Sequence, residues 1–465
     1  MTSLPTRAVI GAFAAIVCVC TAAASPSGSR SAVGSSASAK AIAIAAGGAH
    51  TCLLTGTGAV KCWGYNAFGQ LGDGTRTERH TPVGVLGLAS GVVAITAGGG
   101  HTCALTSAGA VECWGYNGNG QLGDGTTTDR RTPVKVSGLA GGVTAIAAGG
   151  SHTCALASAG GVKCWGENGY GALGDGTTTD RRTPVTVSRL AGGVTAIAAG
   201  DFHSCALTSA GAARCWGANA RGELGDGTTH GRHAPVAVSG LAGGVSAIAA
   251  DRNHSCALTR GGAVKCWGLN SYGELGDGTT TRRLTPVAVS GLGSKVTAIS
   301  VGETHSCALT SAGAVKCWGW NGTPTIHRTP AAVSGLGSGV KAITARGTFY
   351  DGSLRGYSCA LTNTGRAKCW GWNLNGQLGD GTTTDRHKPV GVIGFGGAFN
   401  CVVPNVLGKP LAKAKPWIRR AHCRVGSVTR VASSKRKGTI VGQNPRPWKR
   451  LKKGAKINLA VSRGR

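Results

Sequence analysis

The chain has 465 residues, 80 of them glycine, with 14% charged and 5% aromatic residues and a formal net charge of +31. A 41% apolar content and 11 tryptophans supply a core and exclude a disordered chain, while the glycine excess and scarce charge set it apart from an ordinary globular enzyme. Length alone suggests about three domains, a prior that fails for a chain built of repeats.

The N-terminus combines Arg7, an apolar stretch from Ala8 to Cys20 and small residues at Ala22, Ala23 and Ala24. This pattern predicts a secretory signal over residues 1–24, cleaved near Ala24. The apolar run falls short of the roughly 20 residues a membrane span needs, and Val17 and Val19 before Cys18 and Cys20 argue against a lipoprotein signal. Residues 25–40, rich in serine, read as a flexible linker. No later stretch is a transmembrane candidate.

From residue 41 onward the tripeptide Cys-Trp-Gly recurs, with Trp63, Trp114, Trp165, Trp216, Trp267, Trp318 and Trp370 spaced by 51 residues, the last interval being 52. One unit, residues 143–190, contains four short β-type runs (VTAIAAG, HTCAL, GVKCWG, PVTVS) bounded by turn residues, and none is long enough for a helix. Four strands per 50-residue repeat predict a propeller blade. The first run is small and the tryptophan sits on a later one, as a wedge tapering to an axis requires. Seven near-identical units without atypical end caps favour a closed ring over a linear solenoid. The expected fold class is all-β: a seven-bladed β-propeller over 41–394, followed by a small α+β domain over 396–465.

The pattern G-x-x-H-[ST]-C-A-L-T-x-x-G-x-V-x-C-W-G, then N-x-x-G-x-L-G-D-G-T, resembles the regulator of chromosome condensation repeat family, which implies a seven-bladed propeller. Two units depart from it. Repeat six replaces the LGDGT loop with WNGTPTIHRTP; repeat seven inserts ARGTFYDGSLRGYS and has Tyr357 where the others have His50, His101, His152, His203, His254 and His305. Irregular loops are where a specific partner is contacted, so Trp320, Phe349, Tyr350, Arg355, Tyr357 and Trp372 are candidate partner-binding residues.

Each unit also carries two cysteines ten positions apart. A three-residue turn at Ser107-Ala108-Gly109 pairs Thr106 with Ala110, which sets Leu105 opposite Val111 and Cys103 opposite Cys113. Opposed residues at a non-hydrogen-bonded position have Cα atoms about 4.5 Å apart, within disulfide reach. The same count pairs Cys52 with Cys62, Cys154 with Cys164, Cys205 with Cys215, Cys256 with Cys266, Cys307 with Cys317 and Cys359 with Cys369. An exported chain meets oxidising conditions, so disulfides are expected rather than thiol chemistry. Zinc is the competing reading of His-x-Cys plus a second cysteine, but only three ligand candidates fall in a blade and structural sites need four. No metal or cofactor is expected. The histidine is read as structural, its ring nitrogens satisfied by loop backbone between blades, and the tryptophan as packing the next blade.

In LGDGTTTDR, Asp124 and Asp129 faintly resemble a calcium loop that lacks its closing glutamate; turn capping by Asp and Thr is the better reading. Nothing resembles a Ser-His-Asp set, a carboxylate pair or a phosphate loop, so catalytic residues are expected to be absent.

After Gly394 the composition shifts. Residues 396–465 hold 18 Lys and Arg and no Asp or Glu. A short helix and strands near 426–432, 439–443 and 455–462 are expected, with Pro416 kinking or shortening the helix. The segments V-P-N-V-x-G, G-T-I-V-x-Q-N-P and L-K-K-G-x-x-I-N-L-x-V-S resemble a PASTA domain, which implies attachment to peptidoglycan or its fragments. Cys401 and Cys423 flank the helix and are expected to pair. Lys409, Lys413, Lys415, Arg419, Arg420, Arg430, Lys435, Arg436, Lys437, Lys449, Arg450, Lys452 and Lys453 form a strong positive field, the candidate site for an anionic cell-wall polymer. Phosphate contacts need little beyond such clusters, making nucleic acid the runner-up, against which export argues.

Taken together the chain reads as an exported bacterial binding protein, monomeric and non-enzymatic, with the propeller facing an unidentified protein or glycan partner and the basic module holding peptidoglycan. Two alternatives stand beside it. One is a secreted inhibitor of a cell-wall-related enzyme such as a β-lactamase, using Tyr65, Phe68, Tyr116, Tyr170, Phe202, Tyr272, Trp320 and Trp372. The other, by family name only, is guanine-nucleotide exchange with chromatin binding.

Overall fold

The computed structural model describes residues 40–292, 295–320, 322, 325–350, 353–395, 401–421, 423–451 and 454–464, without the side chains of Thr348, Phe349, Tyr350, Ser353, Leu354, Val402 and Arg450. The expected signal and nearly all of the linker, together with Lys452 and Lys453, lie outside these residues. The chain divides into two compact units between Val390 and Gly391.

The first unit is seven four-stranded antiparallel sheets, each drawn from consecutive strands in simple meander order. Blade one runs Ala41–Ala46, His50–Thr55, Val60–Gly64 and Arg79–Gly84. The first strands, built of Ala, Ile, Ser and Thr, line a central shaft of about 140 Å³; small side chains there are what allow seven strands to converge. The tryptophan of each Cys-Trp-Gly rides the third strand and is buried.

Its direction is the reverse of the sequence expectation. Trp114 of blade two packs among Cys52, Leu71 and Val85 of blade one, and Trp267 of blade five among Leu224 and Val238 of blade four. The reason is polar as well as steric: Trp114 Nε1 donates to the Gln70 carbonyl (2.9 Å) and Trp267 Nε1 to the Glu223 carbonyl (2.7 Å), both in the preceding blade's loop. Trp63 closes the ring by donating to Gln377 of blade seven (2.8 Å). Blade six has lost that loop, and among the described residues the indole N–H of Trp370 has no partner.

The hairpin register is the one counted from the sequence: Cys103 faces Cys113, Leu105 faces Val111, and the Thr106 N–H bonds the Ala110 carbonyl at 2.9 Å. Gly109 takes φ +77°, the left-handed turn position. The sulfurs are bonded in all seven blades, with Cα atoms 4.1 Å apart.

The second unit packs helix α1 (Leu411–Arg420) on a three-stranded sheet of Arg424–Val431, Lys456–Ser462 and Ile440–Asn444, with a short pair Cys401–Val402 and Arg450–Leu451. Its core joins Val403, Val406, Ala414, Ile418, Ile457 and Leu459. Pro416 lies inside the helix, which continues past it to Arg420 rather than ending there. Cys401 and Cys423 are bonded, with Cα atoms 4.7 Å apart.

Candidate functional site

The loops at one end of the ring, where first strands end and third strands exit, are built to hold themselves. Asn117 Nδ2 donates to the Thr126 and Thr128 carbonyls (3.1 Å each) while its Oδ1 accepts from Leu122 N–H (2.9 Å). Asp124 Oδ1 accepts from Thr126 N–H (2.9 Å) and hydroxyl (2.7 Å), and Arg130 closes on Oδ2 at 2.7 Å. Burial pushes the Asp124 carboxyl upward, but the Thr126 bonds and Arg130 hold it below its ordinary value. Asp129 accepts from Asn117 N–H (3.0 Å). Both carboxylates that suggested a calcium loop thus serve as turn caps.

Beneath these loops runs a belt of histidines. His50 Nε2 lies 2.8 Å from Thr102 Oγ1 of the next blade, whose proton goes to the Gln70 carbonyl (2.9 Å). The hydroxyl must therefore accept from His50, which fixes the Nε2–H tautomer. His101, His152, His203, His254 and His305 repeat the contact with Thr153, Ser204, Ser255, Ser306 and Ser358. The expected backbone partners are thus replaced by a side-chain hydroxyl on Nε2, and among the described residues Nδ1 meets no hydrogen-bond partner in His50, His101, His203, His254 and His305, while the Asp201 backbone lies near the His152 ring. Burial drives their pKa down to about 3 or 4. Glycine stands three residues before five of these rings, where a Cβ, as at Gly47, would lie 2.6 Å from His50 Nδ1; before His254 the position is Asp251.

Tyr357 belongs to this belt rather than to a partner loop. It is fully buried, and its hydroxyl donates to the His50 carbonyl (2.5 Å) with Thr51 Oγ1 at 3.1 Å, joining blade seven to blade one. Trp372 is also interior, at 2% exposure. Both are removed from the candidate binding residues: the longer hairpin of repeat seven (Val340–Tyr350, Ser353–Thr362) supplies a larger ring-closing side chain, not an exposed one. Trp320 is half-buried against Tyr272, with ring centroids 5.8 Å apart. Arg355 is half-buried; the side chains of Phe349 and Tyr350 lie outside the described residues.

Sequence reasoning missed a charged cluster at the same end of the shaft. Blades one to three carry Gly-Gly after the first strand (47–48, 98–99, 149–150); the corresponding residues of blades four to seven include Asp201, Asp251, Arg252, Glu303 and Arg346. Arg346 of blade seven reaches Asp201 of blade four at 2.9 Å and Asp251 of blade five at 3.6 Å, and Arg252 meets Glu303 at 3.0 Å. Burial pushes the Asp251 carboxyl well above its ordinary value against the pull of Arg346, and carries Glu303 up to about 7. Removing one partner of a buried ion pair costs about 3–5 kcal/mol because the other charge is stranded. Arg346→Met is therefore expected to lower unfolding free energy by about that amount, read by urea titration; a change under about 1 kcal/mol would show the cluster to be structurally idle.

Around this mouth aromatic rings pair between neighbouring blades: Phe68 with Tyr116 (4.9 Å between centroids) and Tyr170 with Phe202 (5.2 Å), with Arg252 5.8 Å from the Phe202 ring. Tyr170 is 55% exposed. Among the described residues no group of three or more His, Cys, Asp or Glu is placed to hold a metal ion.

The basic module presents its cations outward. Lys413, Lys415, Arg419 and Arg420 are exposed along α1, and Arg430, Lys435, Arg436, Lys437 and Lys449 are exposed elsewhere; Lys409 is half-buried. No helix among the described residues is long and apolar enough to cross a membrane.

Comparison with known proteins agrees with both units. The RCC1-like domain family matches residues 21–244 and 86–404, and the PASTA domain family residues 402–463. The chain is 33% identical over 309 residues to the ultraviolet-B receptor UVR8 of Arabidopsis thaliana, covering 65% of this chain and 70% of the receptor. It is 35% identical over 285 residues to the human E3 ubiquitin-protein ligase HERC2, which is 59% of this chain but 6% of that protein. Among solved structures, human WBSCR16 superposes with a TM-score of 0.63 at 24% identity (72% of this chain, 94% of that one). Yeast RCC1 (Prp20), crystallised with Kap60, gives 0.63 at 23% identity (71% and 83%); these two likenesses concern the fold. The repeat spacing, the seven-sheet ring and the sequence matches together place this chain in the RCC1-like domain family, with a PASTA domain following the propeller.

Proposed function

We propose that the protein is an exported, non-catalytic binding protein whose propeller contacts a protein or glycan partner and whose PASTA domain attaches it to peptidoglycan or an associated anionic polymer of the cell wall. The observation that carries this reading is the basic module: 18 cations with no acid, on a domain of a type associated with the wall. Eight buried disulfides fit an oxidising compartment. The full chain is expected to co-sediment with purified wall sacculi at low salt and to release steeply as salt rises, while a chain ending at Val390 stays in solution. Equal sedimentation of both would remove the attachment role from the module.

A second reading, inhibition of a cell-wall-related enzyme such as a β-lactamase, is favoured by the aromatic pairs gathered at one end of the ring. Guanine-nucleotide exchange is supported by the family name only, and fold alone assigns no activity.

A further inference from the structure

Helix α1 buries Ala414 and Ile418 and turns Lys413, Pro416, Trp417 and Arg420 to solvent. Their spacing of i, i+3, i+4 and i+7 puts the four on one face. With Lys409 and Pro410 from the preceding loop they line an open groove of about 570 Å³. Its apolar surface is the Trp417 indole, 45% exposed, together with Pro410, Ala412 and Pro416, and the Lys409 ammonium lies 4.6 Å from the ring centroid. The module's core does not account for this ring, and an indole left half in water beside three cations is a poor surface for anything but a ligand that is flat and apolar on one side and anionic at its edge.

We propose that this groove is a subsite for a phosphodiester-linked sugar polymer, the carbon face of one sugar ring stacking on Trp417 and the adjoining phosphate lying among Lys409, Lys413 and Arg420. The inference rests on the wall-attachment reading and names its ligand. An Arg fork and point-charge ammonium groups match phosphate oxygens. A polymer with one negative charge per unit complements a module of 18 cations and no acid better than a glycan whose carboxylates are partly consumed in peptide linkages. Nucleic acid offers the same phosphodiester and a stacking base, but eight disulfides point to a compartment where it is scarce.

The test compares sedimentation of the full chain with sacculi that retain their phosphodiester polymers and with sacculi stripped of them by hydrofluoric acid. Stripping is expected to weaken binding at least tenfold. Trp417→Ala is expected to weaken binding to unstripped sacculi about tenfold with the salt dependence unchanged, whereas Arg420→Gln lowers both affinity and salt dependence. The Lys435→Gln, Arg436→Gln pair, exposed and outside the groove, is expected to change it less than twofold. Thermal melts within about two degrees of the parent establish that each variant is folded. Equal binding to stripped sacculi would overturn this inference and leave wall attachment standing; binding to neither preparation would overturn both. Displacement by a single-stranded oligonucleotide in a Trp417-dependent manner, with no displacement by a sugar-phosphate polymer, would reassign the groove to nucleic acid.

Discussion

Full reduction of the disulfides is expected to unfold the propeller, yet reductant added to the native protein is expected to have almost no effect. The fourteen propeller cysteines are at most 5% exposed, so a thiolate cannot reach a sulfur without a blade opening first. Each bond closes a loop with a sequence separation of 10 and stabilises the fold by about 2–3 kcal/mol on the chain-entropy estimate. If seven such terms add, they total about 15–20 kcal/mol, more than the whole stability of a typical domain, about 5–15 kcal/mol. Tryptophan fluorescence should therefore hold steady in dithiothreitol alone and collapse when the same reductant is combined with moderate urea. Mass spectrometry after alkylation would then count the freed thiols. A chain that kept native fluorescence with every propeller cysteine alkylated would refute the claim that these bonds hold the ring together.

Acidification should act almost as strongly. Six imidazoles are buried neutral with pKa values of about 3 to 4, against 6.5 when free. A depressed pKa contributes stability that is fully present above the free value and is lost as pH falls toward the folded one. Glu274 and Glu303 have the opposite sign: burial raises both to about 7, so their contribution is present below about 4.5 and lost as pH climbs through 7. From these eight groups alone the unfolded chain near pH 5 holds roughly four more protons than the folded one, a slope of roughly 5 kcal/mol per pH unit, which the raised Asp251, Glu167 and Glu223 carboxyls reduce. Melting temperatures are expected to fall steeply between pH 6 and 4, much more steeply than a single titrating group allows. His254→Gln, which retains a donor for Ser306, is expected to move the acid midpoint to lower pH. A melting temperature flat from pH 7 to 4.5 would rule out the histidine belt as the acid-labile element.

These elements differ in how far they could be read in advance. Hairpin register followed from counting outward from Gly109, because a turn of fixed length leaves one pairing, and the 51-residue period then carried one blade to the other six. Tyr357 was misread although its position carried the signal: it stands two residues before Cys359, as His305 stands before Cys307, and a residue in the belt register is interior whatever its type. The Arg346 cluster was harder. Asp201, Asp251 and Glu303 lie about fifty residues apart in the chain, and each alone resembles an ordinary surface acid at a turn. Only the convergence of first strands at the shaft brings them within reach of one guanidinium. The hint was the loss of Gly-Gly after the first strand in four successive units. Trp417 carries no signal of its own in the sequence; only the burial of Ala414 and Ile418 on the other face of the helix shows that its ring is left outward.

Among the described residues, every blade is drawn from one unbroken stretch of chain, and no strand is borrowed across the ring. This bears on how the protein is made. Each propeller cysteine's native partner is also its nearest neighbour in sequence, ten residues away, whereas the next candidate, as from Cys62 to Cys103, is 41 away. Closing the shorter loop is favoured roughly eightfold by chain statistics alone, and the correct partner is the first one available as the chain is synthesised from its N-terminus. Oxidation can thus proceed one hairpin at a time as the chain lengthens, with the fourteen propeller thiols never present together to be mispaired.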